Sequence, residues 1–130
     1  MAMHSVFAHL ILDVRNVERS LGFYRDRLGM SVKKTDECDG HHLAYLHSDD
    51  FELLLLEQPT HDQTPNLQRG GGIVMNFRVQ NLTNLAAQLK KNAVKVLRDL
   101  EEPAYGDRTL LVTDPDGYAV LLSEPVGTYH

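Results

Sequence analysis

Few side chains in this 130-residue sequence have the type and spacing to do chemistry. His41 and His42 stand side by side and His47 closes the same run. In a strand, neighbouring imidazoles point to opposite faces, so only one of the pair could address a given ligand, and the sequence leaves open which. Cys38 is the only cysteine. It can form neither an internal disulfide nor a thiolate cage, no nucleophile motif surrounds it, and it reads as a structural residue in a reducing, cytoplasmic setting. Gly70-Gly71-Gly72 precedes a strand-like run rather than a helix, so the aligned amides that cradle phosphate are not to be expected there. No Gly-x-Ser-x-Gly elbow is present, which removes the sequence warrant for a hydrolase triad.

The elements that would carry these residues repeat. Val14-Arg15-Asn16-Val17 and Val79-Gln80-Asn81-Leu82 follow the same plan at an offset of 65, and Leu55-Leu56-Glu57-Gln58-Pro59 matches Leu121-Leu122-Ser123-Glu124-Pro125 at 66. In the first half, Phe7 to Val14 reads as a strand, and Asn16 as the cap of a helix whose apolar stripe is Val17, Leu21, Tyr24 and Leu28. Extended runs follow at Ser31 to Thr35, His42 to His47 and Phe51 to Glu57, broken by Asp39-Gly40 and by Ser48-Asp49-Asp50. In the second half, Ile73 to Val79 is the strand, Asn81 the cap, and Leu82, Leu85, Ala86 and Leu89 the buried stripe of the helix. The strands Lys95 to Leu100, Thr109 to Thr113 and Ala119 to Ser123 complete it, with Asp114-Pro115-Asp116-Gly117 as a turn.

These patterns predict one α+β domain over 1–130, made of two βαβββ units at about 6–58 and 72–125 joined by a linker at 59–71. The units should form a curved mixed sheet that encloses a cup, with the helices outside. A chain of this length buries about two-thirds of its unfolded surface, enough for one core without staples.

Thirteen Lys and Arg stand against eighteen Asp and Glu, with no basic run, so a nucleic-acid partner is not expected. The longest apolar stretch is Leu53 to Leu56, short of the ~20 residues of a membrane helix, and Met1 to Val6 show no signal-peptide pattern. The expected setting is therefore the cytoplasm, with no membrane partner.

The string His9-Leu10-Ile11-Leu12-Asp13-Val14, with Val17-Glu18-Arg19-Ser20-Leu21-Gly22-Phe23-Tyr24, Leu28-Gly29-Met30 and Asp114-Pro115-Asp116-Gly117-Tyr118, resembles the vicinal oxygen chelate superfamily. This group holds glyoxalase I, fosfomycin and bleomycin resistance proteins, extradiol dioxygenases and methylmalonyl-CoA epimerase. The resemblance implies that metal-dependent members hold a divalent ion through residues of the first and last strand of each unit. Carried onto this sequence, those positions are His9, Leu55, Val74 and Leu121. Only His9 has a lone pair to give, and a hard divalent ion needs several.

If His9 faces the cup, period-two alternation sets Phe7, Ile11 and Asp13 beside it, and Val74, Asn76 and Arg78 on the matching strand. Leu55 and Leu121 then deepen an apolar middle, while Asp13, Glu57, Asn76, Arg78 and Arg108 supply polar groups, the usual make-up of a small-molecule site. The resulting expectation is a metal-independent homodimer, without cofactor, that binds a small organic molecule. The alternative is a divalent metal held by His9 and Glu57 with one of His41, His42 or His47. It would serve a lactoylglutathione-lyase-like, epimerase or dioxygenase-like enzyme. A metal-free enzyme with His9 as general base is a third.

Overall fold

The protein is described from a computed structural model, which covers residues 5–38, 41–57, 72–102 and 106–126. The turn at Asp39-Gly40, the 59–71 linker and the side chain of Cys38 lie outside the described residues. The chain divides into two compact units, Met1–Leu67 and Gln68–His130.

In the first unit, β1 (Leu10–Val14), α1 (Val17–Leu21), β2 (Ser31–Cys38), β3 (His41–Ser48) and β4 (Phe51–Glu57) form a sheet of order β1-β4-β3-β2. β1 runs parallel to β4, in register Ile11 to Leu54 and Leu12 to Leu55, and the other pairings are antiparallel. The first strand is shorter than its sequence pattern, because residues 5–9 stand outside any regular element. Alternation splits the sheet into two faces. Leu12, Val14, Ala44, Leu46, Leu53 and Leu55 are buried together with Val17 and Leu21 of α1. Each Leu or Val side chain so removed from water contributes about 1.5–3 kcal/mol.

Asn16 caps α1 as its type suggests, its Oδ1 accepting from the Arg19 amide at 2.9 Å. After Leu21 the helix widens into a π-helical turn, Gly22–Arg27, in which the Leu28 amide reaches back to the Phe23 carbonyl at 3.0 Å. This extra residue per turn lets the neighbours Phe23 and Tyr24 both enter the core, edge to face at 5.0 Å. A uniform 3.6-residue stripe does not anticipate that.

The second unit repeats the plan with β5 (Val74–Arg78), α2 (Leu82–Lys91), β6 (Val96–Glu101), β7 (Asp107–Thr113) and β8 (Ala119–Pro125), in order β5-β8-β7-β6. Leu110, Val112, Val120 and Leu122 are fully buried with Leu82 and Leu89 of α2. The β7–β8 turn is tied by Asp114, whose Oδ1 accepts from the amides of Asp116 (2.8 Å) and Tyr118 (2.9 Å). Gly117 there adopts φ 97, a conformation costly for other residues.

Asn81 departs from the sequence expectation. It is left-handed (φ 56, ψ 56) and its side chain makes no cap bond. The Glu124 carboxylate takes its place, accepting from the Asn81 amide at 2.6 Å and from the Leu82 amide at 3.1 Å. Two charge-assisted bonds satisfy more of the orphan amides than one neutral amide oxygen could.

Candidate functional site

The face of the first sheet turned away from α1 gathers residues from all of its strands. The β1–β4 register puts Leu54 beside Ile11 and Leu56 beside Asp13. The β3–β4 register adds Leu43 beside Leu56, Tyr45 beside Leu54 and His47 beside Glu52. Ile11 is 51% exposed and Leu43 and Leu56 are half-buried, so the middle of this face is apolar and reachable. At its end, the His9 ring meets the Tyr45 ring edge to face at 5.6 Å. Glu52 accepts from Lys33 Nζ at 2.8 Å. That hydrogen bond and charge, with smaller contributions from His9 and His47, hold the Glu52 carboxyl below the ordinary carboxylate range.

In the second unit the face away from α2 carries Val74, Asn76 and Arg78 of β5, beside Ala119, Leu121 and Ser123 of β8. Val74 is 58% exposed, Leu121 half-buried, and Ser123 Oγ donates to Asn76 Oδ1 at 2.9 Å. Leu111 flanks Leu121, and Arg98 of β6 pairs with Glu101 at 2.8 Å.

Of the sequence-derived set, Phe7, His9, Ile11 and Asp13 belong to the first unit, and Val74, Asn76, Arg78 and Leu121 to the second. Phe7 is 77% exposed and lies ahead of β1. Three residues need correction. Leu55 is fully buried against α1, in register with Leu12. Glu57 lies on the same face, where its Oε2 accepts from the Val17 amide at 2.8 Å. Arg108 pairs with Glu124 on the α2 side, with Nη1 3.1 Å from Glu124 Oε1 and Nη2 3.0 Å from Glu102 Oε2.

The corrections of Leu55 and Glu57 trace to one slip, whereas Arg108 faces the α2 side because it pairs with Glu124, one residue past the face of Leu121 and Ser123. The helix-capping glutamates Glu57 and Glu124 are the true equivalents, 67 residues apart, so Leu121 corresponds to Leu54 rather than Leu55. A one-residue shift turns every side chain to the other face. Aligning the two glutamates would have found Leu54, and alternation back from it would have found Glu52. Tyr45, His47 and Lys33 carried no such signal. Alternation also places His41 on the face of Tyr45 and His47, and His42 on the α1 side.

A model of the glyoxalase/bleomycin resistance protein/dioxygenase superfamily matches residues 6–122, and the chain belongs to that family. Its fold is similar to that of the genomically encoded fosfomycin resistance protein of Listeria monocytogenes, at 16% identity and a TM-score of 0.72, covering 97% of this chain and 96% of that one. It is similar also to the trypanothione-dependent glyoxalase I of Leishmania major, at 24% identity and a TM-score of 0.72, covering 89% and 84%. A protein of unknown function from Agrobacterium tumefaciens aligns at 22% identity and 0.71, covering 96% and 98%.

The divalent ion that the family suggests does not fit the donors at the positions the resemblance assigns. With the register corrected, the four positions are His9, Leu54, Val74 and Leu121, and hydrocarbon side chains cannot replace a cation's water. Glu57, the remaining oxygen donor of the alternative set, is on the opposite face from His9 and already holds the Val17 amide.

Proposed function

We propose that this protein binds a small, partly apolar organic molecule without a metal ion, on the sheet faces turned away from the helices. The observation that carries this reading is the first unit's face: reachable Ile11, Leu43 and Leu56 next to the polar group of His9, Tyr45, His47, Glu52 and Lys33. An apolar floor with a few oriented polar groups is how small-molecule sites are built. Phe7, Asp13, Val74, Asn76, Arg78 and Leu121 remain part of the proposal. So does a cytoplasmic homodimer, which the exposure of Val6, Phe7 and Val74 supports. Among the described residues no helix is long and apolar enough to cross a membrane.

Two measurements test it. After incubation with zinc, nickel, manganese or iron(II) and desalting, the protein should retain well under one ion per chain. Titration with indole or phenol should shift the amide resonances of Ile11, Leu43 and Leu56. Stoichiometric metal that disappears in His9→Ala would overturn the metal-free reading and favour the metalloenzyme.

A further inference from the structure

The two units fill one equivalent place differently. In the second, β8 and β7 set Glu124 beside Arg108, Glu102 follows directly on the end of β6, and the Arg108 guanidinium bridges the two carboxylates at 3.1 and 3.0 Å. In the first, the same rungs carry Glu57, His42 and Glu37. Glu37 is paired with His42, and His42 stands one rung beyond the Leu43–Leu56 pair. An imidazole on a one-carbon stem does not span two carboxylates. His42 Nδ1 lies 3.5 Å from Glu37 Oε2, and the Glu57 carboxylate is turned to the Val17 amide.

Where the second unit holds a guanidinium, the first therefore has a cavity of about 410 Å³. Its lining includes Glu18, Asp36, Glu37 and Glu57, with His42 and the apolar Leu21, and none of its described lining residues is Lys or Arg. Asp36 is partly committed, to the Glu37 amide at 2.8 Å and to Lys34 at 3.8 Å.

We propose that this cavity is a binding site for a guanidinium group, supplied either by a free alkylguanidine or by an arginine side chain of another chain. The internal repeat shows that the arrangement accepts such a cation, because the equivalents of Glu57 and Glu37 already grip one. A guanidinium offers five N–H donors in a plane, which suits carboxylates on neighbouring strands better than a compact ammonium does. The volume admits it with a short aliphatic arm, for which Val17 and Leu21 of α1 supply an apolar wall. The carboxylates of Glu37 and Glu57 and the His42 ring lie on the α1 side of the sheet, so the proposed grip on the guanidinium does not use the polar group around His9.

The test is an amide-resonance titration of the intact chain with agmatine at fixed ionic strength, with tetramethylammonium, 1,4-diaminobutane and magnesium as controls. Agmatine should shift Val17 and Glu37 with a dissociation constant in the millimolar range or below, and the controls should be at least fivefold weaker. Glu37→Gln should weaken agmatine at least fivefold. His42→Arg should abolish its binding by supplying the guanidinium internally, and Arg108→Ala should create a new agmatine response at Asn81 and Leu82. Should the His42→Arg chain fail to fold, the Glu37→Gln and Arg108→Ala results decide. N-acetyl-arginine amide binding more tightly than agmatine assigns the arginine source, and the reverse assigns the free alkylguanidine. Equal shifts by tetramethylammonium, tighter magnesium binding, or unchanged agmatine binding in folded His42→Arg would overturn the proposal.

Discussion

Glu57 and Glu124 do the same work in their two units. Each lies near the end of the last strand and accepts from the first amide of the helix, Val17 at 2.8 Å and Leu82 at 3.1 Å. In each unit a strand and a helix far apart in sequence are thus fastened by one carboxylate.

For Glu124 the sign follows from its surroundings. The Leu82 and Asn81 amides, and then Arg108, hold its carboxyl below the ordinary range. Its contribution is present above the unfolded value of about 4.3 and is lost as pH falls through the lower folded value. Urea melts should show wild type more stable than Glu124→Gln at pH 7, with the gap closing towards pH 3. A gap constant over that range would refute the assignment.

Leu55 and Leu56 are neighbours with opposite surroundings. Leu55→Ala should cost about 2–5 kcal/mol by denaturant unfolding, since it leaves a cavity under α1. Leu56→Glu should leave a folded chain, because Leu56 is half-buried on the other face. The reverse ranking would show the β4 register to be wrong.

Leu121→Trp tests the proposed ligand face of the second unit. Overpacking there should cost about 1–3 kcal/mol and leave the fold intact. An organic molecule that binds wild type should bind this variant at least tenfold more weakly if Leu121 belongs to the site. Unchanged affinity, measured by calorimetry, would move the site away from β8.

The Asp114 turn should be sensitive at two points. Asp114→Ala strands the buried Asp116 amide and the Tyr118 amide, at about 1–3 kcal/mol for a lost buried partner. Gly117→Ala meets no atom within 4 Å, so its cost should come from backbone conformation alone, about 1–2 kcal/mol. Thermal melts that show no loss for Gly117→Ala would argue against the φ of 97.

Much of the fold was legible because alternation and the repeated Val-x-Asn pattern are local signals. The β-strand and helix order of both units, the Asn16 cap and the Asp114 turn can be read without tertiary information. The site was less legible, because facing depends on register between strands about forty residues apart, and Leu53-Leu54-Leu55-Leu56 has no alternation to fix it. Glu57 looked like a free carboxylate for the same reason: its partner, the Val17 amide, is a backbone group that no side-chain pattern marks. The polar group of Lys33, Tyr45, His47 and Glu52 comes from three strands and is assembled only by pairing.

The parallel β1–β4 and β5–β8 pairs also set the pace at which the chain reaches this structure. The capping bonds that accompany them join residues separated by 40 and 42 positions, whereas β3 and β4 meet across a tight turn. Closing the longer loop costs chain entropy before any contact offsets it. The antiparallel β2–β3–β4 and β6–β7–β8 meanders should therefore form early, with each first strand docking last. Conservative substitutions in β1 and β5 should then change unfolding rates far more than refolding rates.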